Sequence, residues 1–298
     1  MIDFNEITIR DKEIFDIYLK ACRPQTSELT FTNFFMWRGF YKFRYAVVDD
    51  FLCIIAVPEK LEPFCFMPLS MTGETPTLEI VSKLGDYFAS NGWKLRFERV
   101  DESQVKFFEG LGNDKAVISL DRDSSDYVYL AENMINLKGK KFDGKRNHIN
   151  KFKKLYTYEY VDLEESYVGD CINIMERWCS ERDCEEHGAY YCEKLANIEL
   201  LKNFRFLGCK GALIKVDGKF EAFTVGEVLN DDTAVIHIEK ANGAINGLYT
   251  FINQQFCEKQ WNKCLYINRE QDLGIEGLRK AKLSYNPERI VNKYTVVF

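Results

Sequence analysis

This chain of 298 residues contains no Cys-x-x-Cys pair, no Gly-x-Ser-x-Gly elbow and no apolar run of the ~18 residues a membrane helix needs, and it has only three histidines and six prolines. Each shortage excludes something. Without a long apolar run no membrane-spanning helix is expected, and the N-terminal stretch MIDFNEITIRDKEIF carries charges through every candidate signal core, so the expectation is a cytoplasmic protein. The ten cysteines are scattered and read as reduced core thiols rather than disulfides. Cys179, Cys184, His187 and Cys192 do cluster, but their spacing fits no standard finger, so no metal site is expected. No cysteine has the surroundings of an activated thiolate, which argues against a covalent acyl-enzyme.

What is present is aromatic and charged. Hydrophobic residues make up 46 % and aromatics 14 %, a composition that supports a packed core rather than disorder. The net charge is −6, yet residues 139 to 154, GKKFDGKRNHINKFKK, hold seven Lys or Arg against Asp143 alone. On a helix Ile149, Phe152 and Tyr156 share one face and the cations flank it, so the strip is docked and not a loose tail. A row of cations on an acidic protein repels itself until a polyanion neutralises it, and phosphate is the natural candidate. The alternative reading is a solvated helix paired with Glu159, Glu164 and Glu165.

Periodicity predicts a helix at DKEIFDIYLKAC, a β-meander through TFTNFFMWRGFYKFRYAVVDDFLCIIAVPEK and CFMPL, and then alternating helices and strands up to KAVISL. The polar stretch DRDSSD, 121 to 126, separates the halves, giving expected domains at 1–124 and 125–298. The second half repeats the order, with a hairpin turning at Asp217-Gly218, a strand TAVIHIEKA, a helix GLYTFINQQFCEKQ and a strand KCLYINRE. Phe88 precedes Trp93 by five residues as Phe256 precedes Trp261, and the strands that follow read LRFER and LYINR, the trace of a duplication.

Two further stretches offer chemistry. In YINREQDLGIEGLRKAKLSYNP, Arg269 and Asp272 end a strand where open sheets place ligands, and Arg279, Lys280 and Lys282 follow on a helix; the plainer reading is a capped helix with exposed ion pairs. In VIHIEKANGAING, a strand ending at His237, Glu239 and Lys240 meets a turn with Gly243, which suits a phosphate and a proton-transferring carboxylate, although His237 reads first as a sheet-face residue.

The combination of GKKFDGKRNHINKF, HIEKA, NREQDLGIEGLRKAKLSYNP and a closing NKY resembles bacterial proteins similar to the C-terminal domain of phosphatidylglycerol lysyltransferases. That resemblance spans essentially the whole chain. It implies an α+β fold of two tandem acetyltransferase-like (GNAT) domains, each a mixed, mainly antiparallel sheet flanked by helices. Such domains are related to the Fem transferases, which move an amino acid from aminoacyl-tRNA to a lipid or peptidoglycan precursor. By the same resemblance Lys140, Lys141, Lys145 and Arg146 would meet the donor's phosphates, and Arg269, Asp272, Arg279 and Lys282 would line the transfer site, while the turn after TAVIHIEKA adds Lys240 and Gly243 as phosphate contacts and Glu239 as a catalytic candidate. Arg269 or Lys282 would hold the developing oxyanion, Asp272 would read the donor's α-ammonium, and Glu239 would act as base.

The expected activity is therefore aminoacyl transfer from aminoacyl-tRNA, with no required cofactor, to a lipid or small-molecule acceptor. The chain lacks the transmembrane flippase portion of the best-known members, which leaves that acceptor, and any peripheral membrane contact, open. Its nearest match to the GNAT pyrophosphate loop, Lys240 to Ile245, departs from the pattern at both ends. Acetyl-CoA-dependent N-acetyl transfer and a noncatalytic phosphate- or RNA-binding module are the alternatives.

Overall fold

Residues 2–110, 116–181 and 188–298 are described by the computed structural model, with the backbone alone for 188–192; Cys184, His187 and the side chain of Cys192 therefore lie outside the described residues. The chain forms two compact units, both discontinuous in sequence. The first comprises Met1–Asp126, Gln271–Glu276 and Ile290–Phe298, and the second Tyr127–Glu270 and Gly277–Arg289.

The first unit runs β1 (Asn5–Glu6), α1 (Lys12–Cys22), α2 (Phe31–Tyr41), β2 (Arg44–Val48), β3 (Phe51–Ala56), β4 (Phe64–Cys65), β5 (Leu69–Ser70), α3 (Leu78–Ser90), β6 (Arg96–Asp101), α4 (Glu102–Glu109) and β7 (Val117–Leu120). The predicted strand before the Asp49-Asp50 turn is half wrong: Phe31–Tyr41 is a helix. Thr30 caps it by accepting from Asn33 N, and Phe31 to Met36 are buried without a break, so no helical stripe marked it in the sequence. The turn itself is as read, with φ 48° at Asp49 and 65° at Asp50, and it joins β2 to β3 as a hairpin.

The second unit contains most of β8 (Asp126–Leu130), followed by α5 (Ala131–Asn136), α6 (Asp143–Leu155), β9 (Tyr158–Asp162), α7 (Val168–Ser180), α8 (Gly188–Leu207), β10 (Lys210–Val216), β11 (Lys219–Val228), β12 (Thr233–Ala241), α9 (Leu248–Gln260) and β13 (Tyr266–Asn268). After α10 (Glu276–Leu283) the chain ends through β14 (Arg289–Val291) and β15 (Lys293–Val297).

Both sheets are mixed and mainly antiparallel, and the duplication is visible in them. In the first, the order is β1-β2-β3-β4-β6-β15-β7, with β5 also on β3; in the second, β8-β13-β12-β11-β10-β9. A parallel step follows a crossover helix in each: β4 to β6 over α3, and β12 to β13 over α9. The equivalent aromatic pairs close on these helices with the same geometry, Phe88–Trp93 at 5.7 Å and 75°, Phe256–Trp261 at 5.6 Å and 88°. Each crossover strand then takes an antiparallel partner from elsewhere in the chain, β15 on β6 and β8 on β13.

Candidate active site

The ends of β12 and β13 bring together the residues with the most chemistry in the second unit. On β12, Glu239 and Lys240 point to opposite faces, as neighbours on a strand must. Glu239 accepts from Arg269 Nη2 at 2.9 Å and from Asn253 Nδ2, on α9, at 2.7 Å. The Arg269 guanidinium lies 4.9 Å from the ring centre of Tyr285 and 6.0 Å from that of Tyr129. Burial disfavours its charge, but Glu239, joined by Tyr285, Tyr129 and Cys257, outweighs this and keeps Arg269 cationic. Because Nδ2 of Asn253 is committed to the carboxylate, its Oδ1 is fixed as the other arm of the amide, and this buried oxygen has no hydrogen-bond partner among the described residues.

Lys145, on α6, reaches the same place. Its Nζ donates to Ser284 Oγ at 2.7 Å and sits 3.8 Å from the Tyr285 ring centre, so one tyrosine is flanked by Lys145 and Arg269. Lys145 forms no ion pair among the described residues. Burial, then repulsion from Arg269, pulls its ammonium down to about 8, with Glu239 opposing. α6 is seated by Gly247 at the start of α9: with φ +89° a side chain would be strained there, and a Cβ would lie 2.4 Å from the His148 carbonyl oxygen.

The other expected site residues have different surroundings. Lys140 and Lys141 lie exposed on a 3-10 turn ahead of α6. Arg146 braces its own loop, donating to the Leu137 and Gly139 carbonyls and to Asp143. Lys240 is on the α7–α8 side of the sheet, bonded to Glu193 at 2.7 Å and stacked 3.5 Å over Trp178. Gly243 is exposed in the turn after β12, Arg279 is half-buried on α10, and Lys282 donates to the carbonyls of Arg269 and Glu270, holding the end of β13. Asp272 is buried in the first unit, where it accepts from Gly274 N at 2.9 Å and lies 3.6 Å from Arg122.

Several participants escaped the sequence reading. Tyr285 and Ser284 sit inside the quoted LSYNP motif but carried no role, and Asn253 is one of four amides on a mixed helix, so nothing local marks it as the buried one that needs partners. His237 was read as a regular strand residue. It is instead the extra residue of a β-bulge, since Val225 faces Ile238 while Gly226 faces Ile236. The bulge aims the ring between two carboxylates, Nδ1 at 2.9 Å from Glu270 and Nε2 at 2.9 Å from Glu227. Burial opposes the charge, but the hydrogen bonds to Glu227 and Glu270 and the charges of those carboxylates together outweigh it and lift His237 to about 9.

An imidazole raised from its ordinary 6.5 to about 9 on folding stabilises the native state fully below about 6.5 and loses that contribution as pH climbs through about 9. The stability gap between the wild type and His237→Gln is therefore expected to shrink between pH 6.5 and 9.5, read from urea midpoints; a gap constant with pH would mean that the ring is neutral.

Cys257, on α9 beside this cluster, is no nucleophile at neutral pH, because burial pushes its thiol up to about 12. Among the described residues no group of His, Cys, Asp and Glu is placed to hold a metal ion, and no helix is long and apolar enough to cross a membrane.

The family described as "Phosphatidylglycerol lysyltransferase, C-terminal" matches residues 20–297. Among solved structures, a conserved protein of unknown function from Bacteroides thetaiotaomicron is 34 % identical over the whole of both chains, with a TM-score of 0.94. L-PGS from Bacillus licheniformis is 13 % identical, over 98 % of this chain and 92 % of that one, with a TM-score of 0.67. A tandem GNAT protein from the clavulanic acid biosynthesis pathway is 11 % identical over 100 % and 98 %, with a TM-score of 0.58, and at such identities these two speak for the fold alone. An uncharacterised protein of Mycoplasmoides gallisepticum is 28 % identical over 179 residues; the chain spans 56 % of that curated relative's length.

Proposed function

This chain belongs to the phosphatidylglycerol lysyltransferase C-terminal family, and from that premise we propose that it transfers an aminoacyl group from aminoacyl-tRNA to an amine or hydroxyl of a lipid or small-molecule acceptor. Family and fold together indicate a GNAT-fold acyltransferase. The observation that carries the finer reading is the Arg269–Glu239–Asn253 centre at the ends of β12 and β13, with exposed Lys140 and Lys141 ahead of the helix that brings Lys145 to it.

In the reaction the acceptor nitrogen or oxygen bonds to the ester carbonyl carbon, the bond from that carbon to the ribose oxygen breaks, and the proton lost by the acceptor ends on the departing ribose hydroxyl. An aminoacyl ester is already activated, so positioning and charge stabilisation are what the protein must add. Arg269 supplies the charge for the developing oxyanion. Glu239, gripped by Arg269 and Asn253, orients that guanidinium, and its proton-accepting role passes to the substrate or to water. Lys140 and Lys141 supply charge for the RNA backbone.

A second reading, transfer from acetyl-CoA, is favoured by one feature: α9 begins after β12 at Gly247 without a side-chain cap. The His148 backbone packs against that glycine, which speaks against a pyrophosphate there. Incubation with radiolabelled aminoacyl-tRNAs and cell extract, in parallel with labelled acetyl-CoA, decides between them. Label leaving the RNA for an acceptor is the expected result; label moving only from acetyl-CoA establishes the second reading, and no transfer from either donor refutes both.

A further inference from the structure

Two groups at this site are unsatisfied in complementary senses. Lys145 is a half-buried ammonium whose surroundings are a hydroxyl and an aromatic face, with no carboxylate in ion-pair contact among the described residues. Asn253 Oδ1 is a buried acceptor with no donor among the described residues, and its orientation is locked by the Glu239 carboxylate. Buried polar groups are normally partnered, and a cation drawn out of water needs a counter-charge. Three other cations of the candidate site have carboxylate partners: Arg269 has Glu239, Arg146 has Asp143, and Lys240 has Glu193. Lys145 alone of this group keeps its charge for something else.

We propose that Lys145 is the anion anchor of the site, pairing over the Tyr285 ring with a compact oxyanion of the ligand, a phosphate or a carboxylate, while Asn253 Oδ1 accepts from an N–H or O–H of the same ligand. The idea deepens the acyltransferase reading and rests on its site, but it does not depend on which donor is used. It also makes anion binding depend on pH. The anion needs the ammonium, and an ammonium held at about 8 falls to a minor species by pH 9, so binding weakens by about tenfold from pH 6.5.

The groups facing Lys145 are Arg269 behind Tyr285, Glu239 on β12, and the phenols of Tyr285 and Tyr129. Burial raises both phenols, which keeps them neutral through this window. His237 does titrate near its upper end and is joined to Glu270, the residue after Arg269, so a control must separate its effect from that of Lys145.

Calorimetric titration with sodium sulfate and, separately, sodium succinate provides the test, because neither probe changes charge between pH 6.5 and 9. For the wild-type chain of 298 residues, at least one probe is expected to bind about tenfold tighter at pH 6.5 than at pH 9. Lys145→Arg, whose guanidinium does not titrate in this range, is expected to bind equally at both values, and Lys145→Met to bind neither probe. Sulfate alone binding identifies a phosphate-type ligand, and succinate alone a carboxylate. Absence of binding by both probes, pH-independent binding by the wild type, wild-type affinity in Lys145→Met, or a wild-type pH dependence in Lys145→Arg each overturns the proposal; the last would assign the titration to His237. The aminoacyl transfer assay is read separately, so transfer without anion binding would refute the anchor and leave the function standing.

Discussion

Lys293→Met is expected to cost about 3–5 kcal/mol of stability, in the range observed when one partner of a buried ion pair is removed. Lys293 is fully buried on β15, with Nζ at 2.5 Å from Glu28 and 2.6 Å from Asp126. Asp126 is held further by the backbone N–H and the hydroxyl of Ser27, at 2.7 and 2.9 Å, and Glu28 also faces Arg99 at 3.3 Å. Methionine fills much the same volume, so the loss reports uncompensated carboxylates and not a cavity. Burial already raises the Glu28 carboxyl above its usual range, so without the lysine it can take up a proton in the native state, which then binds more protons than the unfolded chain. The deficit of the variant should therefore narrow as pH falls from 7 towards 4. Guanidinium titrations at several pH values check this, and a deficit that does not change with pH would mean the damage is steric.

Arg269→Met is expected to reduce transfer by about 10²–10³-fold, the effect of removing one well-placed oxyanion donor. It should also destabilise the protein by about 3–5 kcal/mol, because Glu239 loses its counter-ion in a setting where both side chains are largely buried. The two losses separate in the double variant Arg269→Met/Glu239→Met. Removing both charges restores most of the stability, since a buried pair replaced by apolar side chains is close to neutral, whereas transfer stays lost. Recovery of both properties together would show that Arg269 acts only as a structural ion. Loss of the Arg269 charge also relieves its repulsion on Lys145, so the Lys145 ammonium should titrate at a higher pH in Arg269→Met than in the wild type.

Strong local signals in the sequence survived into the fold. The Asp217-Gly218 turn has both residues at positive φ, 50° and 84°, as its hairpin required. The strand read at TAVIHIEKA is β12 without adjustment, and the paired Phe and Trp that betrayed the duplication pack edge-to-face alike in the two units. What failed were places where the signal was uniform or remote. Phe31–Tyr41 is apolar all round and so hid its period, and the bulge at His237 depends on how β11 pairs with β12. Nothing local announces that β15, at the chain's end, pairs with β6 and β7.

Most of the elements, the repeat and the concentration of positive charge on an acidic chain are legible in the sequence, because periodicity, turn chemistry and net charge are properties of neighbouring residues. Tertiary structure alone decided which cations are spoken for. Lys240 and Lys145 look alike in the sequence, yet one is neutralised by Glu193 and the other, among the described residues, meets a hydroxyl and a ring and no ion-pair partner. Coulomb energy and desolvation depend on distance through space, and that distance is set by which strand pairs with which and which helix covers the sheet.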